Sequence, residues 1–189
     1  KYLKMVQQEA FRCKQITQKL LDFGRTGGKR EATDLAQLIE DVIEMARHLP
    51  NSRGKTLDFH PQARPIAPIT APDIKSVVLN LIVNALDSMD AGGVLTVSLT
   101  HRGEFAEMTF TDTGCGMTPD VLEHLFEPFF TRSRTGQGTG LGLSISHQII
   151  DQHGGTITAE SAGPKKGSRF IVRLPLHGSE APSEATANE

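Results

Sequence analysis

The sequence predicts an α+β fold, a two-layer α/β sandwich in which a mixed, mostly antiparallel sheet packs against helices, preceded by one long amphipathic helix. Three observations carry this. Apolar residues recur at three-and-four spacing in two stretches, Leu35–Leu49 and Ile74–Met89, the period of a helix with one buried face. Val94–Thr100 and Ala106–Thr111 alternate apolar and polar residues on either side of a turn at Arg102–Glu104, the pattern of a half-buried hairpin. Helices and strands also come in runs rather than in strict alternation, which argues against a doubly wound parallel sheet.

Taken in order, residues 1–26 read as a single helix. Leu3, Val6, Ala10, Cys13, Thr17, Leu20 and Gly24 form a stripe that Ile16, Leu21 and Phe23 widen. Such a stripe needs a partner helix. Residues 27–32 break the pattern and read as a linker to a main domain over 33–178. Asp34 with Gln37 gives a capping-box start for the Leu35–Leu49 helix. Thr56–His60 and Ile66–Ile69 are short and β-rich. The second helix covers about Pro72–Asp90 and stops at Asp90-Ala-Gly-Gly93. After the hairpin come a short helix at Thr118–Phe126, a helix at Gly140–His153, and strands at Thr156–Glu160 and Ser168–Leu174. Residues 179–189 are small and polar with nothing to bury, so a disordered tail is expected.

The totals exclude several function classes. The chain has 189 residues, 38% of them hydrophobic and 22% charged, with a net charge of −2. That balance provides no electrostatic basis for nucleic-acid binding or for direct membrane contact. No apolar run approaches the roughly 20 residues of a membrane span, and no signal-peptide pattern opens the chain. The two cysteines, Cys13 and Cys115, fit neither a zinc site nor a disulfide framework. A reducing, cytoplasmic setting is expected for this part of the protein, whether or not its parent is membrane-anchored.

Three patterns could carry chemistry. Asn80 and Asn84 lie one helical turn apart, roughly opposite the apolar stripe, with Asp87 beside them. They read either as a solvated polar face or as neutral oxygen ligands that help hold Mg2+ against phosphates. Asp112 follows Ala106, Met108 and Phe110 in parity, so it ends a core-facing row. It either starts a turn by bonding its own backbone or accepts from a ligand amino group. In "FEPFFTRSRTGQGTGLGLSI" (Phe126–Ile145), glycines 136, 138, 140 and 142 crowd together ahead of a helix. Each costs about 0.5–1 kcal/mol relative to alanine in an ordered element. The stretch is either a surface loop with a hydrophobic hinge or an anion site in which backbone N–H groups meet phosphate.

The order of these pieces is more specific than any one of them. "NLIVNALDSM", "DTGCGM", "FEPFF" and "GTGLGLSI" resemble the N, G1, F and G2 boxes of the sensor histidine kinase catalytic domain, a branch of the Bergerat-fold ATPases that include gyrase B. "GGTITAESAGPKKGSRFIVRLP" resembles the family's last hairpin, and "QQEAFRCKQITQKLLDFGR" the second helix of its dimerisation and phosphoacceptor domain. The likeness covers nearly all of the chain except the tail. It implies ATP and Mg2+ as cofactors, and transfer of the γ-phosphate to a histidine for relay to a response regulator receiver domain. It also implies a homodimer formed through the N-terminal helical domain, with residues 1–26 as part of it.

The same resemblance implies particular roles. Asn84 would ligate Mg2+, with Asn80 and Asp87 nearby, and Asp112 would receive the adenine amino group between Gly114 and Gly116. Phe130, Thr131, Arg132, Arg134, Gly138, Thr139, Gly140, Leu141 and Gly142 would form an ATP lid and its phosphate-facing edge, and Ser168 would reach adenine through water. Three departures stand out. Asp87 and Ser88 occupy positions where many members carry a basic residue, and Ser133 stands where relatives with "FFTTK" have lysine, which shifts phosphate contact to Arg132 or Arg134. The third is the phosphoacceptor histidine, expected on a helix outside this sequence. His48, His60, His101, His124, His147, His153 and His177 all lack an acceptor context and read as surface or packing residues, so no catalytic residue is assigned within the chain. Two rival readings are an ATP hydrolase of the gyrase B type, which Asn80 disfavours because those enzymes place a glutamate there, and a non-catalytic ATP-dependent interaction module, or pseudokinase.

Overall fold

A computed structural model describes residues 28–131 and 139–177; the expected helix at 1–26 and the tail at 179–189 lie outside the described residues. The chain runs β1 (Glu31–Asp34), α1 (Leu35–Arg47), β2 (Thr56–Pro61), β3 (Ile66–Ile69), α2 (Ala71–Ser88), β4 (Val94–Arg102), β5 (Phe105–Asp112), α3 (Pro119–His124), α4 (Gly142–Gln152), β6 (Thr156–Glu160) and β7 (Ser168–Pro175). A single 3-10 turn at Pro50–Ser52 follows α1.

The expected two-layer α+β sandwich is what forms. Five strands make one sheet in the order β2-β4-β5-β7-β6, parallel only between β2 and β4 and antiparallel elsewhere. Alternation decides which face is covered. Leu95, Val97 and Leu99 of β4, Ala106, Met108 and Phe110 of β5, and Val172 and Leu174 of β7 point inward and are buried. Ile39 and Val42 of α1, Ile74, Val78, Leu81 and Ile82 of α2, and Ile150 of α4 close over them as one core. Arg102 pairs with Phe105, so the β4–β5 hairpin turns on two residues, Gly103 and Glu104, one residue tighter than the alternation predicts. Gly103 sits at φ +59, the left-handed conformation that such short turns require.

The structure departs from the sequence reading at the start of the domain. Glu31–Asp34 form β1, antiparallel to β3 in a separate two-stranded sheet, where residues 27–32 read as a linker. Four residues without an apolar alternation carry no local strand signal; the pairing with β3 makes the strand. Asp34 does cap α1, its Oδ1 accepting from Ala36 N–H at 2.9 Å and Gln37 N–H at 3.1 Å. The reciprocal half of the capping box is missing, because the Gln37 side-chain amide donates to Asp41 Oδ1 instead, at 3.0 Å.

One histidine has a specific packing role. His153, at the end of α4, is 5% exposed. Its Nδ1 lies 2.7 Å from the Ile149 carbonyl, which can only accept, so Nδ1 carries the proton. Nε2 is then the acceptor for the Thr70 backbone N–H at 3.1 Å. Thr70 has no side-chain cap bond for α2, so this bond across the helical layer satisfies a buried donor at the start of α2. Replacing His153 with phenylalanine keeps the bulk and orphans that donor. The variant should lose about 1–3 kcal/mol of stability, read as a lower urea midpoint with an unchanged denaturant slope.

Candidate functional site

The second half of α2 is built for a neighbour rather than for water. Asn80 and Asn84 are half-buried, although spacing places them opposite the apolar stripe. The start of α4 covers Asn80. Asn80 Nδ2 donates to Ser146 Oγ at 3.0 Å, and Ser146 is itself 2% exposed. A Cβ at Gly142 would lie 2.3 Å from Asn80 Oδ1, so only glycine allows α4 to approach this closely. The solvated-face reading of this row fails for that reason. Asp87 is not part of the row: it is exposed, and its Oδ1 accepts from the Asn51 side-chain amide at 2.7 Å.

At the start of α4, no side chain makes a cap bond among the described residues, although Thr139 Oγ1 accepts the Leu141 N–H just ahead of it at 3.4 Å. An 11-residue helix that begins this way presents the partial positive charge of its first turn beside the asparagine row. Phe129 and Gly140 tie the chain together across the glycine-rich stretch. Phe129 N–H donates to the Gly140 carbonyl at 2.9 Å. Phe129 adopts φ +68 and Gly140 φ +69, and a Cβ on Gly140 would lie 2.4 Å from the Phe129 carbonyl carbon. A phenylalanine in the left-handed region is held there by surrounding structure at a cost of about 1–3 kcal/mol. Phe130 is half-buried with its ring 5.9 Å from that of His124, Thr131 is exposed, and Leu141 is buried. Arg132, Arg134 and Gly138 lie outside the described residues.

The third component is Asp112, at the end of β5 and 5% exposed. Its Oδ1 accepts from Gly114 N–H at 2.7 Å and from Ser88 Oγ at 3.2 Å. The carboxylate also accepts from the backbone N–H of Ser168, its partner across the β5–β7 ladder. Ser168 is buried, so its main chain, not only its hydroxyl, serves this site. Asp112 thus bonds its own turn, as one reading expects, and it ends a buried row as parity along β5 predicts. A Cβ at Gly114 would lie 2.1 Å from Ser88 Oγ, and Gly116 turns tightly against the Gly163 carbonyl.

Two site residues carry no signal in the sequence. Ser88 reaches Asp112 across 24 residues. Ser161 Oγ accepts the Met117 N–H at 2.9 Å and donates to the Gly167 carbonyl at 2.7 Å, locking the glycine turn onto the last hairpin. Only a known strand pairing would have brought either to notice. Among the described residues no group of three or more His, Cys, Asp and Glu could hold a metal ion, so a cation here would rely on a neutral oxygen such as Asn84 Oδ1 together with oxygens of a ligand. A surface depression of about 670 Å³ lies on the opposite face of the sheet. Its Arg173 Nε donates to Glu107 Oε2 at 2.8 Å and Arg102 Nε lies 3.7 Å from Oε1, so both guanidinium groups share one carboxylate of the sheet.

Residues 70–178 match the family described as histidine kinase-, DNA gyrase B-, and HSP90-like ATPase. A sensor histidine kinase ZraS of Klebsiella oxytoca is 36% identical over 176 residues, which are 92% of this chain and 37% of that protein; the chain thus spans little more than a third of such a relative. The catalytic domain of histidine kinase ThkA superposes with a TM-score of 0.71 at 27% identity, over 79% of this chain and 97% of that one. A structure of ThkA in complex with the response regulator protein TrrA shares the fold, with a TM-score of 0.78 at 23% identity, over 96% of this chain and 52% of that one.

Burial pushes the Asp112 carboxyl above the usual aspartate value of 3.8, against the opposing pull of the Gly114, Ser88 and Ser168 donors. A carboxyl whose pKa is higher folded than unfolded binds its proton more tightly in the folded state. Its unfavourable contribution therefore grows as pH rises from the unfolded value through the folded one, and is complete above it. Asp112→Asn removes that titration. The stability of the parent relative to Asp112→Asn should fall as pH is raised from about 4 to about 7, measured by urea unfolding at each pH; a difference that does not change with pH would contradict the shift.

Proposed function

Because the chain belongs to the histidine kinase-, DNA gyrase B-, and HSP90-like ATPase family and matches the catalytic ATP-binding domain of sensor histidine kinases, we propose that it binds Mg2+-ATP between α2, the turn after β5 and the start of α4. In this reading it presents the γ-phosphate to a histidine on a dimerisation helix, for relay to an aspartate of a response regulator. The observation that carries it is Asp112. A carboxylate 5% exposed and held by neutral donors is expensive to desolvate, and an incoming amino group supplies the donor that offsets the cost.

Each component has a role suited to its chemistry. Asp112 accepts from the adenine amino group, and Gly114 and Gly116 keep the pocket open beside it. Asn84 offers its amide oxygen to Mg2+, which when bound neutralises charge on the phosphate oxygens. Asn80, tied to Ser146, holds α4 against α2 rather than touching the metal. The first-turn N–H groups of α4 receive phosphate oxygens, and the Phe129–Gly140 tie sets the distance between the two ends of the lid. Water activation has no candidate at Asn80: an amide is not a base, and its Nδ2 is committed to Ser146. That favours phosphoryl transfer over gyrase-type hydrolysis. A receiver-domain partner is supported by the complex of ThkA with its response regulator. The apolar stripe of residues 1–26 supports dimerisation. Among the described residues no helix is long and apolar enough to cross a membrane.

Asp112→Asn turns an acceptor oxygen into a donor facing a donor. ADP affinity should fall about 30- to 1000-fold, or about 2–4 kcal/mol, by titration calorimetry. Asn84→Ala should weaken Mg2+-dependent ATP binding while leaving metal-free ADP binding near the parent value. With γ-labelled ATP the chain should take up little phosphate by itself. It should label a histidine supplied in trans on a helical hairpin, since transfer requires the acceptor nitrogen in near-attack geometry. Substantial acid-labile phosphate on the chain alone would show that one of its own histidines is an acceptor.

A further inference from the structure

Ser88 ends α2 and touches the site twice. Its carbonyl accepts the Cys115 N–H at 3.0 Å, joining the helix end to the glycine turn. Its Oγ lies 3.2 Å from Asp112 Oδ1 and 2.8 Å from the Ala85 carbonyl. A hydroxyl has one proton and cannot donate to both. The ionised carboxylate is the stronger acceptor, so the proton moves to Asp112 whenever Asp112 is charged. Gly114 makes this contact possible, since a side chain there would occupy the place of Ser88 Oγ.

Resting on the nucleotide reading above, we propose that Ser88 is a positioning residue that sets the base selectivity of the site. Its hydroxyl and the Gly114 N–H converge on the same oxygen of Asp112, and two donors on one oxygen fix the plane of the carboxylate. Together they fill both lone-pair positions of Oδ1, which leaves the other oxygen, Oδ2, for an incoming donor. A purine with an exocyclic amino group at C6 donates to that oxygen. A 6-oxo purine presents a carbonyl to a carboxylate, which repels it. Without the Ser88 donor the carboxylate can rotate about its side-chain bond, and the preference for the amino group weakens.

The test compares ADP with purine riboside 5′-diphosphate, which lacks only the 6-amino group, on the full chain and on Ser88→Ala and Ser88→Thr. Calorimetric titration should show Ser88→Ala binding ADP about 3- to 10-fold more weakly and the deamino analogue within about twofold of the parent. Ser88→Thr retains the hydroxyl and should bind ADP as the parent does. A merely structural Ser88 would weaken both ligands equally, and that result overturns the proposal; so does unchanged ADP binding in Ser88→Ala. If the parent itself does not distinguish the two ligands, the assignment of Asp112 falls and Ser88 with it. If parent and Ser88→Ala distinguish them to the same degree, only the role of Ser88 falls.

Discussion

The desolvated carboxylate of Asp112 is the constraint on which the rest of the site depends. Three parts of the fold contribute donors to it: the last residue of α2, the turn after β5, and the β7 strand. Each is fixed in place for another reason as well. Ser88 caps the packing of α2 on the sheet, Gly114 begins the turn, and Ser168 belongs to the β5–β7 ladder. With no ion pair to Asp112 among the described residues, a charge buried to this extent is held by well-aimed neutral dipoles. The fold therefore pulls helix, turn and hairpin together around one side chain, and the pocket follows from that convergence.

A second constraint is close approach. The asparagine row of α2 meets the first turn of α4 with no space for a side chain at position 142, and the Phe129–Gly140 contact leaves none at 140. What glycine permits at these positions is close approach of the backbone to Asn80 and to Phe129. His153 closes the layer at the other end of α4, by accepting the N–H that starts α2. The two helices are thus tied at both ends: Asn80 to Ser146 at one, Thr70 to His153 at the other. Such a pair holds the asparagine row and the start of α4 in fixed register.

The outer face of the sheet shows the opposite behaviour. Glu107 is buried beside Arg102 and Arg173, and its one carboxylate pairs with both guanidinium groups. Among the described residues, neutral donors, a carboxylate and an uncapped helix start converge at one edge of the fold.

By itself the sequence determined every element whose signal is local. The period of Leu35–Leu49 and Ile74–Met89, the alternation of the two hairpins, and the glycine-flanked boxes are carried by neighbours within a few residues, and the helices and strands lie where those patterns place them. Asp112 was legible too, because parity along β5 sends it inward with Phe110. Tertiary structure alone decided the rest. β1 exists because β3 pairs with it, β2 runs parallel to β4 because of the crossover between them, and Asp87 leaves the asparagine row because Asn51 meets it from 36 residues away. Ser88 and His153 gain their roles from partners 24 and 83 residues distant. A hydrogen bond depends on distance and direction, and no periodicity in the chain encodes either across such separations.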